Sequence, residues 1–373
     1  MDKNTTMAEF LPTWVEVDLA AVADNLRAVK EMCGTALMAV VKANAYGHGT
    51  LPIAQTVEKA GADAIGITHL DDGIAMRDAG IKIPILLVGG VFKEEIKPAL
   101  THQITLPLVD RTILPAISAA AKALGQTLPV HLKIDTGLGR FGIFPEEIPA
   151  LMAEIREHQN IEIEGVCTHF AMSDVKDDPL NELQMERFEQ ALESLKILGV
   201  QPKWIHAASS ATAYYYPQMR YNMVRISESL LGMGTGSEDY PFPENLKRTI
   251  TWKSRLISVK RYPAGWGISY GQKYHTAEDE WIGIVPVGHG QGYHRADCNK
   301  VLIDGKRMKA VGNVCIDQFM VSLPKYYEPG TEVVLLGKQG TEEILPEDLR
   351  ACWKVPLSNA HMIDRTIPRV YRE

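Results

Sequence analysis

Eight apolar runs of strand length recur up to Ile226, at 36–41, 62–67, 83–88, 105–109, 130–134, 161–168, 203–206 and 223–226. Between them lie segments of helical period, among them 51–60, 71–79, 112–124, 145–157 and 181–198. An alternating strand pattern, W-V-E-V-D-L from Trp14, and a helical stretch over 20–32 precede the series. Strand and helix in alternation predict a parallel sheet, since parallel neighbours need a crossover and a helix supplies it. Runs that are apolar throughout suit strands covered on both faces. Eight units favour closure into an α/β architecture, an eight-stranded β/α barrel of the TIM type. An open doubly wound sheet competes, but no G-x-G-x-x-G follows the first strand.

After Gly232 the composition changes to G-M-G-T-G-S-E-D-Y-P-F-P-E-N, which reads as a linker. Short β-rich runs follow at 249–259, 283–287, 301–303, 311–315 and 332–336, with turn residues closely spaced. They predict a smaller, mainly β C-terminal domain. The expected division is therefore a barrel over 1–240 and a β-rich domain over 241–373, with the strand near 12–18 open to joining the latter.

A net charge of -7 without a basic run argues against nucleic acid or an anionic membrane as partner. No run of about twenty apolar residues occurs, and M-D-K-N-T-T-M-A-E lacks the core of a signal peptide, so a cytoplasmic protein is expected. The five cysteines, Cys33, Cys167, Cys298, Cys315 and Cys352, are scattered with no C-x-x-C pair. They are expected to be reduced, mostly buried and free of metal.

Chemistry concentrates where barrel strands end. The segment 36–50, A-L-M-A-V-V-K-A-N-A-Y-G-H-G-T, sets Lys42 directly after a buried run. A lysine there is partly desolvated, which lowers its pKa and suits its amine to Schiff-base chemistry. Gly47 and Gly49 let the backbone turn closely after it, but a lysine and two glycines alone more often mean a solvated strand end and a turn. The whole string V-V-K-A-N-A-Y-G-H-G is far more specific, and it resembles the pyridoxal-phosphate lysine segment of alanine racemases.

The resemblance extends over nearly the whole chain. It implies a pyridoxal 5'-phosphate enzyme in which Lys42 carries the cofactor and Tyr46 reaches its phosphate. V-H-L-K-I-D-T-G-L-G-R-F-G-I places Lys133 within a strand and Arg140 on the loop after it. A bare ammonium among apolar neighbours is costly; the resemblance implies a carbamate on Lys133 that Arg140 grips while contributing to substrate binding. T-H-F-A makes His169 the residue stacked over the cofactor ring, and H-A-A-S-S-A makes Ser210 a phosphate ligand. In N-M-V-R-I-S-E-S the cofactor-facing arginine is Arg225, followed by Ser227 and Glu228 where the family has main-chain phosphate donors.

Arg225 sharpens the expected reaction. Pyridoxal enzymes that need a strong electron sink set a carboxylate against the pyridine nitrogen. An arginine cannot accept that proton, so simple proton exchange is favoured over decarboxylation or transamination. S-Y-G implies Tyr270 as a second base, opposite Lys42; two faces of a planar carbanion need two proton donors. A tyrosine starts near a pKa of about 10, so cationic neighbours would be needed. V-G-N-V-C-I-D-Q-F-M-V supplies Ile316 and Asp317 for substrate, reaching into a partner's barrel, which implies a homodimer with shared active sites.

The chain departs from the family pattern at Ser209, Ser227 and Glu228, and at the substrate entrance, where His289 and Arg365 stand in place of tyrosines. Arg365 is expected to take over a phosphate contact or to meet a polar substrate side chain. The implied activity is interconversion of L- and D-alanine, or of a related small or polar amino acid such as serine. The alternatives are a racemase for acidic or basic amino acids and a pyridoxal-phosphate-binding protein that does not racemise.

Overall fold

The computed structural model describes residues 10–158, 160–234, 237, 242–355 and 362–373. After β1 (Thr13–Asp18) and α1 (Leu19–Cys33) come β2 (Ala36–Val40), α2 (Thr50–Ala60), β3 (Ala64–Ile67), α3 (Leu70–Asp78), β4 (Ile85–Leu87) and α4 (Lys93–Thr101). The series continues with β5 (Ile104–Leu108), α5 (Leu114–Leu124), β6 (Leu128–Lys133), α6 (Ile148–Glu157) and β7 (Ile161–Cys167). It closes with α7 (Pro179–Ile197), β8 (Trp204–His206), α8 (Ser210–Tyr215) and β9 (Met223–Ile226).

Chain packing divides the molecule into two units, one of them comprising Val22–Ala45 and Thr50–Lys247. In that unit the strands form one eight-stranded sheet in the order β8-β7-β6-β5-β4-β3-β2-β9. Every pairing is parallel, from Met38 beside Ala64 to Cys167 beside His206, and β2 pairs back onto β9 through Met38 and Arg225. The sheet is thus a nearly closed β/α barrel, as the alternation predicts. All four residues of β3 and all three of β4 are buried, because the helices cover one side and barrel side chains fill the other. Met38, Ala64, Leu86 and Met223 pack together within it.

Local signals fix the helices. Asp178 accepts a hydrogen bond from the Leu180 N–H, with Pro179 in the first turn of α7. Gly125 ends α5 at φ 63. Helix α4 carries Pro98 inside K-E-E-I-K-P-A-L-T, a break that hides it from a reading by period.

The second unit holds Tyr46–Gly49, Arg248–Glu373 and the described residues up to Ala21. Its main sheet runs Ser258–Tyr262, Glu280–Val285, Phe319–Leu323, Lys306–Val311, Lys300–Ile303, Glu332–Gln339, Ile250–Arg255, β1 and Arg369–Arg372. β1 lies antiparallel to Ile250–Arg255 and parallel to Arg369–Arg372. A helix, α9 (Pro346–Trp353), packs in this unit through Trp353. Tyr293 is its centre: Phe319 stacks on it at 4.5 Å, and Trp353 and Trp252 meet it edge-on at 5.5 and 6.0 Å.

Two expectations are corrected here. The run 311–315 is not a strand: the strand is Lys306–Val311, and Gly312 then turns at φ 71, where a Cβ would stand 2.7 Å from the Ile268 carbonyl oxygen. The cysteines are not all reduced, since Cys298 and Cys352 form a disulfide with Cα atoms 5.7 Å apart. Cys33, Cys167 and Cys315 are free, the first two buried. Among the described residues no group of three or more His, Cys, Asp or Glu is placed to hold a metal, and no helix is long and apolar enough to cross a membrane. Part of the expected linker, 235–236 and 238–241, lies outside the described residues.

Candidate active site

Lys42 follows β2 by two residues, at the C-terminal end of the barrel. The next four residues, Ala43, Asn44, Ala45 and Tyr46, all have left-handed φ, at 51, 58, 49 and 51°. None is glycine, and such backbone costs about 1 kcal/mol or more per residue. Sequence reasoning assigned the turn to Gly47 and Gly49 and missed this stretch. Asn44 helps to hold it, its side-chain oxygen accepting from the Thr50 N–H at 3.2 Å. Burial lowers the pKa of Lys42 most, the positive charge of Arg140 lowers it further, Glu228 opposes, and Arg225 adds the smallest lowering.

Arg225, on β9, is 9 % exposed. Its guanidinium donates to the carbonyls of His206 at 2.7 Å, Thr168 at 2.9 Å and Ala207 at 3.0 Å. It also meets Nδ1 of His206 and of His169, both at 3.1 Å. These partners end β7 and β8, the two strands that close the far edge of the sheet. Burial, and next the Arg225 charge, push both imidazoles well below their ordinary pKa, so both are neutral and accept from the arginine.

Behind Arg225 lies a buried chain that sequence reasoning did not find. His206 Nε2 meets His131 Nδ1 at 2.8 Å, and His131 Nε2 lies 3.7 Å from Glu164. Gly165 makes room for it, since a Cβ there would stand 2.4 Å from the His131 ring. The only sequence signal is that His131 stands two residues before Lys133 and so shares its face of β6. Lys133, 7 % exposed, has its ammonium 5.6 Å from the centre of the Phe141 ring and 3.5 Å from the Val88 carbonyl. Desolvation pushes its pKa down to about 8.

The loop after β6 is tied by Asp135, whose carboxylate accepts from the N–H groups of Gly137, Gly139 and Arg140 at 2.9, 3.1 and 3.2 Å. It carries Arg140 exposed. On the opposite side of the sequence, the Ser227 N–H donates to Ser210 Oγ at 3.1 Å. That contact occupies the main-chain donor, and it directs the Ser210 hydroxyl proton elsewhere. Glu228 is held high by desolvation, at about 7, with Lys42 opposing and Asp174 assisting.

The sign of that shift gives an expected result. A carboxyl whose folded pKa is raised binds its proton more tightly when folded, so stability is full below about pH 4.5 and falls as pH rises through about 7. Glu228→Gln should therefore differ by less than about 1 kcal/mol at pH 5 and be more stable than the parent by roughly 3 kcal/mol at pH 8. Denaturant unfolding across that range checks it; a gap independent of pH would refute it.

The remaining candidates lie on the second unit. The N–H groups of His289 and Gly290 donate to the carbonyls of Cys315 and Ile316 at 3.0 and 2.9 Å. Gly288 permits this approach, since a Cβ there would stand 2.3 Å from both carbonyl oxygens. Gln291 reaches Asp317 at 3.4 Å and accepts from the Asp364 N–H at 3.1 Å, which brings the Arg365 segment to the same turn. Arg295 meets His289 Nε2 at 2.9 Å. Tyr270, 72 % exposed, lies in a strained turn with Ser269 at φ 65, Gly271 at 69 and Gln272 at 44. Asn313 holds its carbonyl at 2.6 Å. Thus Lys42, Lys133, Arg140, His169, Ser210, Arg225, Ser227 and Glu228 belong to the barrel unit, whereas Tyr46, Tyr270, His289, Ile316, Asp317 and Arg365 belong to the second.

The barrel and the β-rich unit are each matched by a known family. The alanine racemase N-terminal domain model matches residues 17–233 and the C-terminal domain model residues 249–371. The alanine racemase of Symbiobacterium thermophilum is 41% identical over 366 residues, covering 96% of this chain and 97% of that one. That of Carboxydothermus hydrogenoformans is 41% identical over 339 residues, 89% of this chain and 92% of the relative. Among solved structures, alanine racemase of Clostridium difficile 630 superposes with a TM-score of 0.90 at 32% identity, covering 97% of this chain and 96% of the other. The E. faecalis alanine racemase gives 0.89 at 34%, covering 97% and 98%. With both of its units matched and relatives aligned from end to end, this chain belongs to the alanine racemase family.

Proposed function

We propose that the chain is a pyridoxal 5'-phosphate-dependent racemase that interconverts L- and D-alanine. The observation that carries this reading is the buried guanidinium of Arg225, held by three carbonyls and two neutral imidazoles. The donor set of the barrel fits the cofactor. An amine of lowered pKa suits an aldehyde, and a cationic mouth suits an anionic phosphate. Lys42 would hold the group covalently, Ser210, Tyr46 and Arg365 its phosphate, with the Ser227 N–H orienting the Ser210 hydroxyl toward it, and Arg225 and His169 its ring. When bound, pyridoxal phosphate supplies an electron sink for the α-carbon of an amino acid.

The chain's own residues then decide what happens to the α-proton. Arg225 only donates, so it cannot hold a proton on a ring nitrogen as a carboxylate would. That keeps the sink weak and favours return of the proton over loss of carboxylate or transfer of the amino group. Lys42 Nζ, with its pKa depressed by burial, takes or gives the proton on one face. Tyr270 Oη serves the other face. Arg140 and the main-chain N–H of Ile316, beside Asp317, would receive the substrate carboxylate, with His289 at the entrance. Lys133, with a pKa near 8, holds enough neutral amine at neutral pH to take up carbon dioxide as a carbamate.

A second copy of the chain would complete the site, since Tyr270 and Ile316 are 72 % and 59 % exposed on their own unit. We take the chain to divide into barrel and β-rich domains near residue 240 with β1 in the latter; chain packing sets its boundary at Lys247 and Arg248. Alanine is the reading over acidic or basic substrates.

The test is a visible spectrum of protein with pyridoxal phosphate, followed by L-alanine in deuterated water. A lysine-bound band, α-deuterium incorporation and D-alanine are expected; bound cofactor without exchange of alanine, serine, lysine, aspartate or glutamate would defeat the reading. Tyr270→Phe should lower the rate of D-alanine formation by about 100-fold or more while leaving that band in place. Equal loss of band and rate would instead make Tyr270 a cofactor residue.

A further inference from the structure

We propose that the Cys298–Cys352 disulfide is a reversible exchange site for small-molecule thiols, and that its cleavage loosens the turn carrying His289. Cys298 is exposed, and a cavity of about 370 Å³ opens on both cysteines, lined also by Lys300, Arg307, Asp348 and Leu349. A nucleophile therefore has room to reach the bond. The other three cysteines stay free in the same fold, two of them buried. A single disulfide with an exposed cysteine, in a fold whose other three cysteines stay free, belongs to the labile class rather than to a stabilising framework.

The exchange balances within itself. A thiolate attacks Cys298 Sγ, the bond between the two sulfurs breaks, and its electron pair leaves on Cys352 Sγ, which takes a proton. A second thiol attacks the added sulfur and releases the Cys298 thiol. Two thiols are oxidised to one disulfide while the cystine is reduced to two cysteines.

What the bond joins gives cleavage a consequence. It ties α9 to the loop from His294 to Asn299, across 54 residues of sequence. Trp353 donates to Asn299 Oδ1 at 2.7 Å and stacks on His294 at 4.8 Å, and Asn299 donates to the His294 carbonyl at 2.7 Å. Arg295, within that loop, donates to the Val314 carbonyl at 3.0 Å and meets His289 at 2.9 Å. The His289 N–H holds the Cys315 carbonyl next to Ile316. The covalent tie therefore bears on the entrance side chain through Arg295, which joins the loop to Val314 and to His289. With the tie cut, non-covalent contacts alone hold that loop to α9, among them the Trp353 hydrogen bond to Asn299 and the stack on His294.

The effect on substrate rests on the racemase reading above, so the experiment reads the two separately. Full-length holoenzyme is compared before and after dithiothreitol, with the double variant Cys298→Ser, Cys352→Ser as a permanently open form. Mass spectrometry of the untreated protein should show the two cysteine peptides joined, and millimolar dithiothreitol should free them while Cys33 and Cys167 resist alkylation. Amide hydrogen exchange over 288–299 should rise about tenfold or more, and KM for alanine about threefold or more with kcat changed less than about twofold. Peptides never joined, a bond that resists dithiothreitol in the folded protein, or cleavage that leaves exchange and KM alone would each overturn the proposal. Absence of racemisation in both forms, with thiol and exchange results as expected, would instead fault the racemase reading.

Discussion

Lys42→Ala is expected to lower turnover by about four orders of magnitude or more and to abolish the visible band of lysine-bound pyridoxal. The loss is large because one amine is asked both to hold the cofactor and to move the α-proton. Its pKa is depressed first by burial and then by Arg140, with Glu228 opposing, which favours the neutral amine relative to an exposed lysine. The substitution removes a cation from a site already rich in them, so stability should fall little. Chiral analysis of alanine and the absorption spectrum of the variant check it, with denaturant unfolding as control. Substantial residual racemisation would mean that another amine does the work.

Arg225→Ala should have the second largest effect, and on two quantities at once. Five acceptors would lose the arginine together: the carbonyls of Thr168, His206 and Ala207 and the Nδ1 atoms of His169 and His206, of which the His206 carbonyl keeps the Thr168 N–H at 3.4 Å. Stability should drop by roughly 3 kcal/mol or more, since each stranded acceptor keeps its desolvation cost. Activity should fall about 100-fold or more beyond any unfolding. Arg225→Lys keeps the charge but offers one ammonium where the fork served several acceptors, so it should recover less than half of either loss. Denaturant midpoints and kcat of the two variants decide it; an alanine variant as stable as the parent would show that water replaces the guanidinium at no cost.

The barrel was legible because its strands are apolar on both faces: β3 and β4 stand out as runs that no solvent-facing strand would contain. Helix α4 was hidden by Pro98, which breaks the period although the helix runs through it. The 311–315 run misled because its apolar residues serve a turn, bent at Gly312, rather than a pleat. The site divides similarly. Residues in distinctive strings, such as Lys42 and Arg225, could be named, whereas His131 meets Glu164 on one side and His206 on the other only through the register of neighbouring strands. Nothing in cysteine spacing joins Cys298 to Cys352, because a closed loop of 54 residues has no sequence signature.

The left-handed run after Lys42 restricts how this protein can vary. At Ala43 and Ala45 a β-branched residue would meet its own carbonyl at the observed φ of 51 and 49°, and a bulky one little less so. Neutral drift there is confined to alanine, glycine, asparagine and the like, and in a mutational scan the segment should look invariant although two of its side chains are only methyl groups. A residue can thus be indispensable for the backbone it tolerates rather than for any atom it contributes.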